Sequence, residues 1–438
     1  MASAPGSGST AARPPSPRAA LALLSAVNLL NYLDRFIPAA ILPTILAEFH
    51  ISKAKGGTLQ TLFIFTMAIA SPLAGWLGDR HPRFRVAALG VFVWSAATFA
   101  SGLAQTFLML GLARAIIGFG EASYTVVTPS LLADFYPKNR RGGALAIFYA
   151  AIPIGSALGY VVGAQVAAHY GWRWAFFVAG IPGVALALIL ATRADPKRGA
   201  LDEARPKEDE ARRLREKDDG SVSSVVVVAH AVRELVSRRS FFFNVTAQTI
   251  YTFGIGGLAV WMPTYFVSER GLSEASAGTM FGGVLALAGI AGTLLGGRWG
   301  DKLAARRPDG HFVVSGVALL ASLPFTMVAI LSPSPAIFWP AMFVTLTLLF
   351  LNSGPLSAAM ANVLPAAIRS RGFAFNTFMI HVLGDALSPP SIGWVADRIG
   401  LRVPVLVTGI IIASAGLVLL AGRGALRRDL AREHGASA

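Results

Sequence analysis

Cysteine is absent from all 438 residues, which excludes disulfides, thiol catalysis and thiolate metal sites. Charge is scarce too. Asp, Glu, Lys and Arg make up 14% of the chain, against about a quarter in soluble domains. Acidic residues are the scarcer sign, 23 against 38 basic, which leaves a formal net charge of +15. No GxxxxGK loop occurs, so ATP-driven transport is not indicated. No His, Asp and Glu residues fall at metal-ligand spacing, and no nucleophile–base constellation points to an enzyme. Doublets such as Gly256-Gly257 and Gly282-Gly283 lie within apolar spans and read as helix-packing sites, not nucleotide loops.

What fills the chain instead is apolar sequence, 54% hydrophobic with a mean hydropathy of +0.59. Crossing a bilayer core takes about 20 such residues. Twelve spans can be drawn, at 19–43, 57–77, 86–105, 107–132, 142–167, 173–193, 241–267, 274–296, 312–331, 336–363, 372–395 and 402–421. Lys and Arg collect on one side of them, including Arg80, Arg83 and Arg85, Arg140 and Arg141, Lys302, Arg306 and Arg307, and Arg423, Arg427 and Arg428. By the positive-inside rule both termini are then cytoplasmic. The basic charge is topological, and nucleic acid is not an expected partner. Residues 1–18 read as a cytoplasmic tail, since they lack the apolar core and cleavage site of a signal peptide. Residues 194–239 read as a charged cytoplasmic linker, within which 222–237 has the pattern of a short surface helix, and 423–438 as a cytoplasmic tail.

The hexapeptide Gly75-Trp76-Leu77-Gly78-Asp79-Arg80 returns 222 positions later as Gly297-Arg298-Trp299-Gly300-Asp301-Lys302, each copy closing a span and opening a basic loop. A second pair supports the duplication: Gly155-Ser156-Ala157-Leu158 and Gly384-Asp385-Ala386-Leu387, with Gly171 and Arg173 matching Gly400 and Arg402, at an offset of 229. Two homologous six-span bundles follow, 19–193 and 240–422, in an all-α membrane protein. Such repeats mark secondary transporters that rock one half against the other.

Few ionisable residues sit deep in the spans: Asp34, Arg35, Arg114, Glu121, His381 and Asp385. Each is costly in a bilayer unless paired or wet, so a function is the default reading and a helix-fixing ion pair the competing one. Arg114 and Glu121 are seven residues apart and share a helical face, whereas the neighbours Asp34 and Arg35 point about 100° apart and cannot both aim at one partner without bending. Pro38 permits such a bend near Asp34. His381 and Asp385 share a face, with a hydrogen-bonded core histidine an equal reading for His381. Spans 7 and 10 offer only neutral groups such as Asn244, Gln248, Tyr251 and Asn352. Proton chemistry is thereby placed in the first half and a more apolar surface in the second.

The duplicated G-x-x-x-D-[RK] loop resembles the signature between spans 2 and 3 of the major facilitator superfamily, and the likeness covers nearly the whole chain. The second copy is shortened, its Arg306 and Arg307 arriving at an altered spacing. Three stretches narrow it: Asn31-Tyr32-Leu33-Asp34-Arg35-Phe36, then Arg114 through Gly118, Gly120 and Glu121, and Phe148 through Pro153 to Tyr160. These resemble the Spinster family of lysolipid and sphingosine-phosphate transporters. The first two also occur loosely in organic-anion:cation symporters, and the third favours Spinster.

The resemblance implies transport of an amphiphilic lipid by alternating access, coupled to protons. It implies Asp34 and Glu121 as proton-coupling carboxylates, with Arg35 and Arg114 as their partners or headgroup contacts. Asn31, Tyr32, His381 and Asp385 are further candidates for substrate or charge contact. Gly75, Asp79, Arg80, Arg83 and Arg85, with Asp301 and Lys302 in the second copy, become a cytoplasmic gate in which Asp79 is held by loop arginines or a helix N-terminus. Ionised Glu121 can hold Arg114 or Arg35, and protonation frees that guanidinium for an anionic headgroup. No cofactor is expected beyond the proton as coupling ion, nor any partner beyond substrate and membrane lipids. A monomer is expected. An organic-anion:proton symporter or an amphiphilic drug exporter is the alternative. Ala- and Arg-rich composition suggests the plasma membrane of a bacterium, its inner membrane.

Overall fold

In the computed structural model, residues 14–198, 237–364 and 369–433 are described. The linker helix expected over 222–237 therefore lies, but for its last residue, outside them. The first bundle comprises α1 (Pro17–Ala40), the short α2 (Leu42–Glu48), α3 (Lys53–Arg80), α4 (Arg83–Ser101), α5 (Phe107–Phe135), α6 (Lys138–Tyr170) and α7 (Trp172–Ala191). The second comprises α8 (Arg239–Arg270), α9 (Glu274–Ala304), α10 (Gly310–Leu331), α11 (Pro335–Phe350), α12 (Ser353–Val363), α13 (Arg369–Met379), a π-helical segment (Ile380–Asp385), α14 (Ser388–Ile399), α15 (Arg402–Ala421) and α16 (Arg423–Glu433).

Eleven helical stretches among the described residues are long and apolar enough to cross a membrane, with α11 and α12 counting as one. The expected span 372–395 is different: α13, the π segment and α14 divide it. The cause is local. Pro389 and Pro390 withhold two backbone donors just past the π turn, where Ala386 N–H reaches back five residues to His381 O. The expected tail from 423 also begins as a helix: α16 docks through Leu426, fully buried, and Asp429, which accepts from Ser240 N–H and Oγ at the start of α8.

Side-chain caps set several starts. Ser16, Ser52, Thr106 and Ser273 each accept from the N–H three residues on. The repeat is visible in the turns as well. Gly171 and Gly400, the matched pair, end α6 and α14 with φ of 89° and 77°, a region that favours glycine.

The bundles meet at the end away from the basic loops, through α3 against α14, α6 against α9 and α1 against α8. Approach there is backbone to backbone. A Cβ on Gly57 would lie 2.5 Å from the Pro389 carbonyl carbon, and one on Gly393 would lie 2.6 Å from Lys53. Hydrogen bonds between the bundles gather at this same end among the described residues. Asp397 accepts from Lys53 N–H at 2.8 Å and Ala54 N–H at 3.0 Å, and Glu274 accepts from Thr44 N–H at 2.9 Å and its hydroxyl at 2.7 Å.

Candidate functional site

Between the bundles lies a cavity of about 230 Å³. Its first-bundle wall carries Tyr32, Arg35, Gln60 and Ser156, and Asp385 joins them from the π segment. Phe36, Ile64 and Pro153 add apolar surface from the first bundle, and the second supplies a mainly apolar lobe of Phe281 and Leu285 of α9, Ile330 of α10, Met342, Leu346 and Leu349 of α11, and Val405 of α15. The cavity is thus polar and charged where Arg35 and Asp385 face it, and mainly apolar in the second-bundle lobe.

Behind the polar wall stands a buried charge cluster. Arg35 donates to Glu121 Oε2 at 2.7 Å, with Glu121 wholly inaccessible and Arg35 11% exposed on the cavity side. Arg35 also lies 4.7 Å over the Tyr32 ring and 5.0 Å over Phe63. Arg114 lies 4.7 Å over Phe63 and donates to Gln60 at 3.4 Å, its Nε and one terminal nitrogen unpartnered. Aromatic faces partly replace the water that each guanidinium gives up. Asp34 faces the other way, as the 100° offset requires: buried at 1% exposure, it accepts from Thr98 at 3.4 Å, and its second oxygen lacks a partner. Of the two cations expected as partners for Glu121, Arg35 takes it and Arg114, the one on its own helix, does not. Gln60, Phe63 and Thr98 were not singled out from sequence. Nothing in a neutral polar or aromatic residue distinguishes it from packing until the helices are assembled.

Asn31 is buried at 1% with its amide nitrogen unpartnered, and it does not line the cavity. His381 and Asp385 are paired at 3.1 Å through Nδ1, as i, i+4 spacing implies, with Asp385 facing the cavity.

At the basic end, the repeated loop is organised around residues other than its aspartate. Arg83 pairs with Asp134 of α5, while Asp195 accepts the Arg83 and Phe84 N–H groups at 2.6 and 2.9 Å and so caps α4. Arg198 donates to the carbonyls of Gly78 at 2.6 Å, Asp79 at 2.8 Å and His81 at 3.2 Å, closing the end of α3. The first residues of the expected linker are therefore docked on this loop. The carboxylate of Asp79 is exposed, as are Arg85, Asp301 and Lys302, and Arg80 stacks 4.2 Å over Trp76. A Cβ on Gly75 would make only ordinary contact with Val126, whereas one on Gly78 would meet Val127 at 2.5 Å. In the second bundle the ionic centre is Asp309, which accepts from Nε and one terminal nitrogen of Arg307 at 2.7 and 2.8 Å and from Arg427 at 3.0 Å. Burial pushes the Asp309 carboxyl up, but the two guanidiniums outweigh burial and hold it at about 2.

A two-bundle helical fold with a charged central cavity and repeated basic loops defines a class. The family model of the Major Facilitator Superfamily matches residues 24–389. Among curated proteins the chain is 31% identical to protein spinster homolog 1 of Xenopus tropicalis over 394 residues, 86% of this chain and 72% of that protein. It is 32% identical to sphingosine-1-phosphate transporter SPNS2 of Mus musculus over 398 residues, 86% of this chain and 69% of that one. The chain belongs to the Spinster family of major facilitator transporters, as its span 1, 4 and 5 stretches led one to expect, and it is not an enzyme. Solved structures agree on the fold. A bacterial homolog to the human lysosomal transporter Spinster, inward-facing and unoccupied, superimposes with a TM-score of 0.82 at 22% identity, covering 96% of this chain and 99% of that one. A D-xylose–proton symporter does so at 0.71 and 16%, covering 91% and 96%.

Proposed function

We propose that this protein is a proton-coupled secondary transporter of a single-chain amphiphilic lipid with an anionic headgroup, a lysophospholipid or sphingosine-phosphate-like molecule. The observation that carries the proposal is the bipartite cavity: Arg35 and Gln60 at one end, an apolar lobe of Phe281, Leu346 and Val405 at the other. A forked guanidinium matches a phosphate, and the lobe removes a hydrocarbon tail from water. The SPNS2 relative is named a sphingosine-1-phosphate transporter, which supports the same substrate class. A small organic anion would leave the lobe empty, and a cationic drug would meet Arg35 with like charge.

The coupling follows from who holds Arg35. With Glu121 ionised, one guanidinium edge is occupied at 2.7 Å. A proton on Glu121 removes that acceptor and releases Arg35 to the headgroup. Asp34, unpaired at one oxygen, is the second proton carrier. Transport proceeds by rocking the bundles, with the end bearing Asp397 and Glu274 closed in the present arrangement. Both termini are cytoplasmic, the membrane is a plasma membrane of the bacterial inner type, and the unit is a monomer.

Proteoliposomes loaded with a fluorescent lysophospholipid test this. A proton gradient should drive exchange in the parent protein and have no effect in Asp34→Asn and Glu121→Gln. Gradient-driven exchange surviving in both variants would refute the coupling assignment. Dicarboxylates displacing the lipid would favour an organic-anion symporter.

A further inference from the structure

Among the carbonyls of the second bundle that face a proline four residues on, two are answered by hydroxyls of the first. In an α-helix the carbonyl of residue i accepts from the N–H of residue i+4, and proline has none. Pro263 thereby deprives Ala259 O within α8, and Pro390 deprives Ala386 O where the π segment passes into α14. Each carbonyl is filled from the opposite bundle. The Tyr160 hydroxyl of α6 donates to Ala259 O at 2.5 Å, and the Thr61 hydroxyl of α3 donates to Ala386 O at 2.6 Å.

Both bonds sit where the bundles are pressed together. Tyr160 lines the cavity, is fully buried, and packs its ring 5.2 Å from Phe36 and 5.0 Å from Phe281 of the opposite bundle. Thr61 adjoins the lining residue Gln60 on α3. A carbonyl that keeps its own N–H loses little when an outside hydroxyl departs. One facing a proline is left unsatisfied until water reaches it, and an unmade buried hydrogen bond is costly. The donors differ as well. A threonine hydroxyl can return to a carbonyl of its own helix, as Thr66 does to Leu62 O at 2.8 Å, whereas a tyrosine hydroxyl cannot.

We propose that the two proline-freed carbonyls, Ala259 O and Ala386 O, are latches holding the outer end closed, with Tyr160 and Thr61 as their movable donors and Tyr160 the stronger of the two. Outward opening is then opposed by two hydrogen bonds that no neighbouring N–H can replace. The proposal rests on alternating access but not on the substrate. It is tested with no lipid ligand added, so that its failure leaves the transport reading standing and the converse also holds.

The natural absence of cysteine allows spin labels to be placed without background. Labels at Gln105→Cys, in an outer loop of the first bundle, and Ala336→Cys, in the first turn of α11 in the second, are both exposed and report the outer distance in the full chain in nanodiscs. Tyr160→Phe should raise the outward-open to closed ratio by roughly two- to tenfold, the worth of one such bond. Pro263→Ala returns an N–H to Ala259 O and should shift the ratio the same way. In the Pro263→Ala background, Tyr160→Phe should add nothing, because its acceptor is already served. Thr61→Val and Pro390→Ala form a second cycle with smaller steps, which decides the matter if Pro263→Ala does not fold. Unchanged outer distances in both Tyr160→Phe and Thr61→Val would overturn the proposal. So would a Tyr160→Phe step of equal size with and without Pro263.

Discussion

The two bundles share a fold and a repeat, yet they handle polarity at the membrane midplane in opposite ways. The first buries Asp34, Arg114 and Glu121 and half-buries Arg35, with one short ion pair and several unpartnered atoms. The second carries an amide ladder: Asn376 donates to Gln248 at 3.3 Å, Gln248 to Asn244 at 2.8 Å, and Asn244 to Leu356 O at 3.0 Å. An amide network does not titrate, and in this one each amide donates to the next acceptor, with Asn376 Oδ1 left unpartnered. A charge cluster with orphaned donors leaves hydrogen-bonding capacity unused, which is what the proposed proton and headgroup would take up. The difference leaves the second bundle free to hold an apolar lobe, which a buried charge in the same place would have kept wet. Division of labour between duplicated halves is the lesson: the first carries the larger charge cluster, and the second, apart from the His381–Asp385 pair, carries neutral amides and much of the apolar cavity wall.

The comparison breaks most severely at Arg35. Arg35→Ala strands Glu121 as a buried, unpaired carboxylate, and it should cost about 3–5 kcal/mol of stability together with all lipid-dependent stabilisation. The double variant Arg35→Ala with Glu121→Gln should recover much of the stability in a thermal melt but none of the lipid response. A melt in which the double variant is no better than the single would show that the pair is not what holds the cluster.

A smaller effect is expected in the lobe. Leu346→Trp fills space beside Phe281 and Val405. If two methylenes are excluded, at about 0.8 kcal/mol each, affinity for the longest acyl chains should fall about tenfold. Affinity for short chains should hold, as read by stabilisation across a chain-length series. A uniform loss across the series would move the tail out of the second bundle.

The smallest effect concerns the second bundle's ionic centre, away from the cavity. Asp309 is held at about 2, below the unfolded value of about 3.9. Its contribution is present above the unfolded value and is lost as pH falls through the folded one. Because Arg427 is 53% exposed and screened, that contribution is about 1 kcal/mol. Asp309→Asn should lower stability by that amount at pH 7 and converge with the parent below about pH 2. A gap that persists undiminished into that acid range would assign the effect to packing.

Much of this was legible in the chain. The 222-residue repeat located two bundles, and the scarcity of intramembrane charge singled out Asp34, Arg35, Arg114 and Glu121. Helical geometry alone required Asp34 and Arg35 to diverge, and they do. What spacing could not settle was which cation Glu121 holds, since Arg114 shares its helix and Arg35 does not. That choice depends on how α1 sits against α5. The break in the span after Arg369 was also hidden, because hydropathy does not register a π turn followed by two prolines. Nor could sequence connect Tyr160 with Pro263, 103 residues further on, since the link is a carbonyl and carbonyls leave no trace in composition.

The most direct test of the bipartite cavity is ligand-induced thermal stabilisation of the purified protein, in a panel of lysophospholipids, sphingosine phosphate, dicarboxylates and cationic dyes at two pH values. Ligand binding raises apparent stability by mass action, so the panel ranks affinity without assuming a direction of transport. Stabilisation by the phosphate-headed lipids, dependent on pH in the parent and absent in Arg35→Ala with Glu121→Gln, is the expected result. Stabilisation by dicarboxylates alone, or a lipid response that survives the double variant, would contradict it.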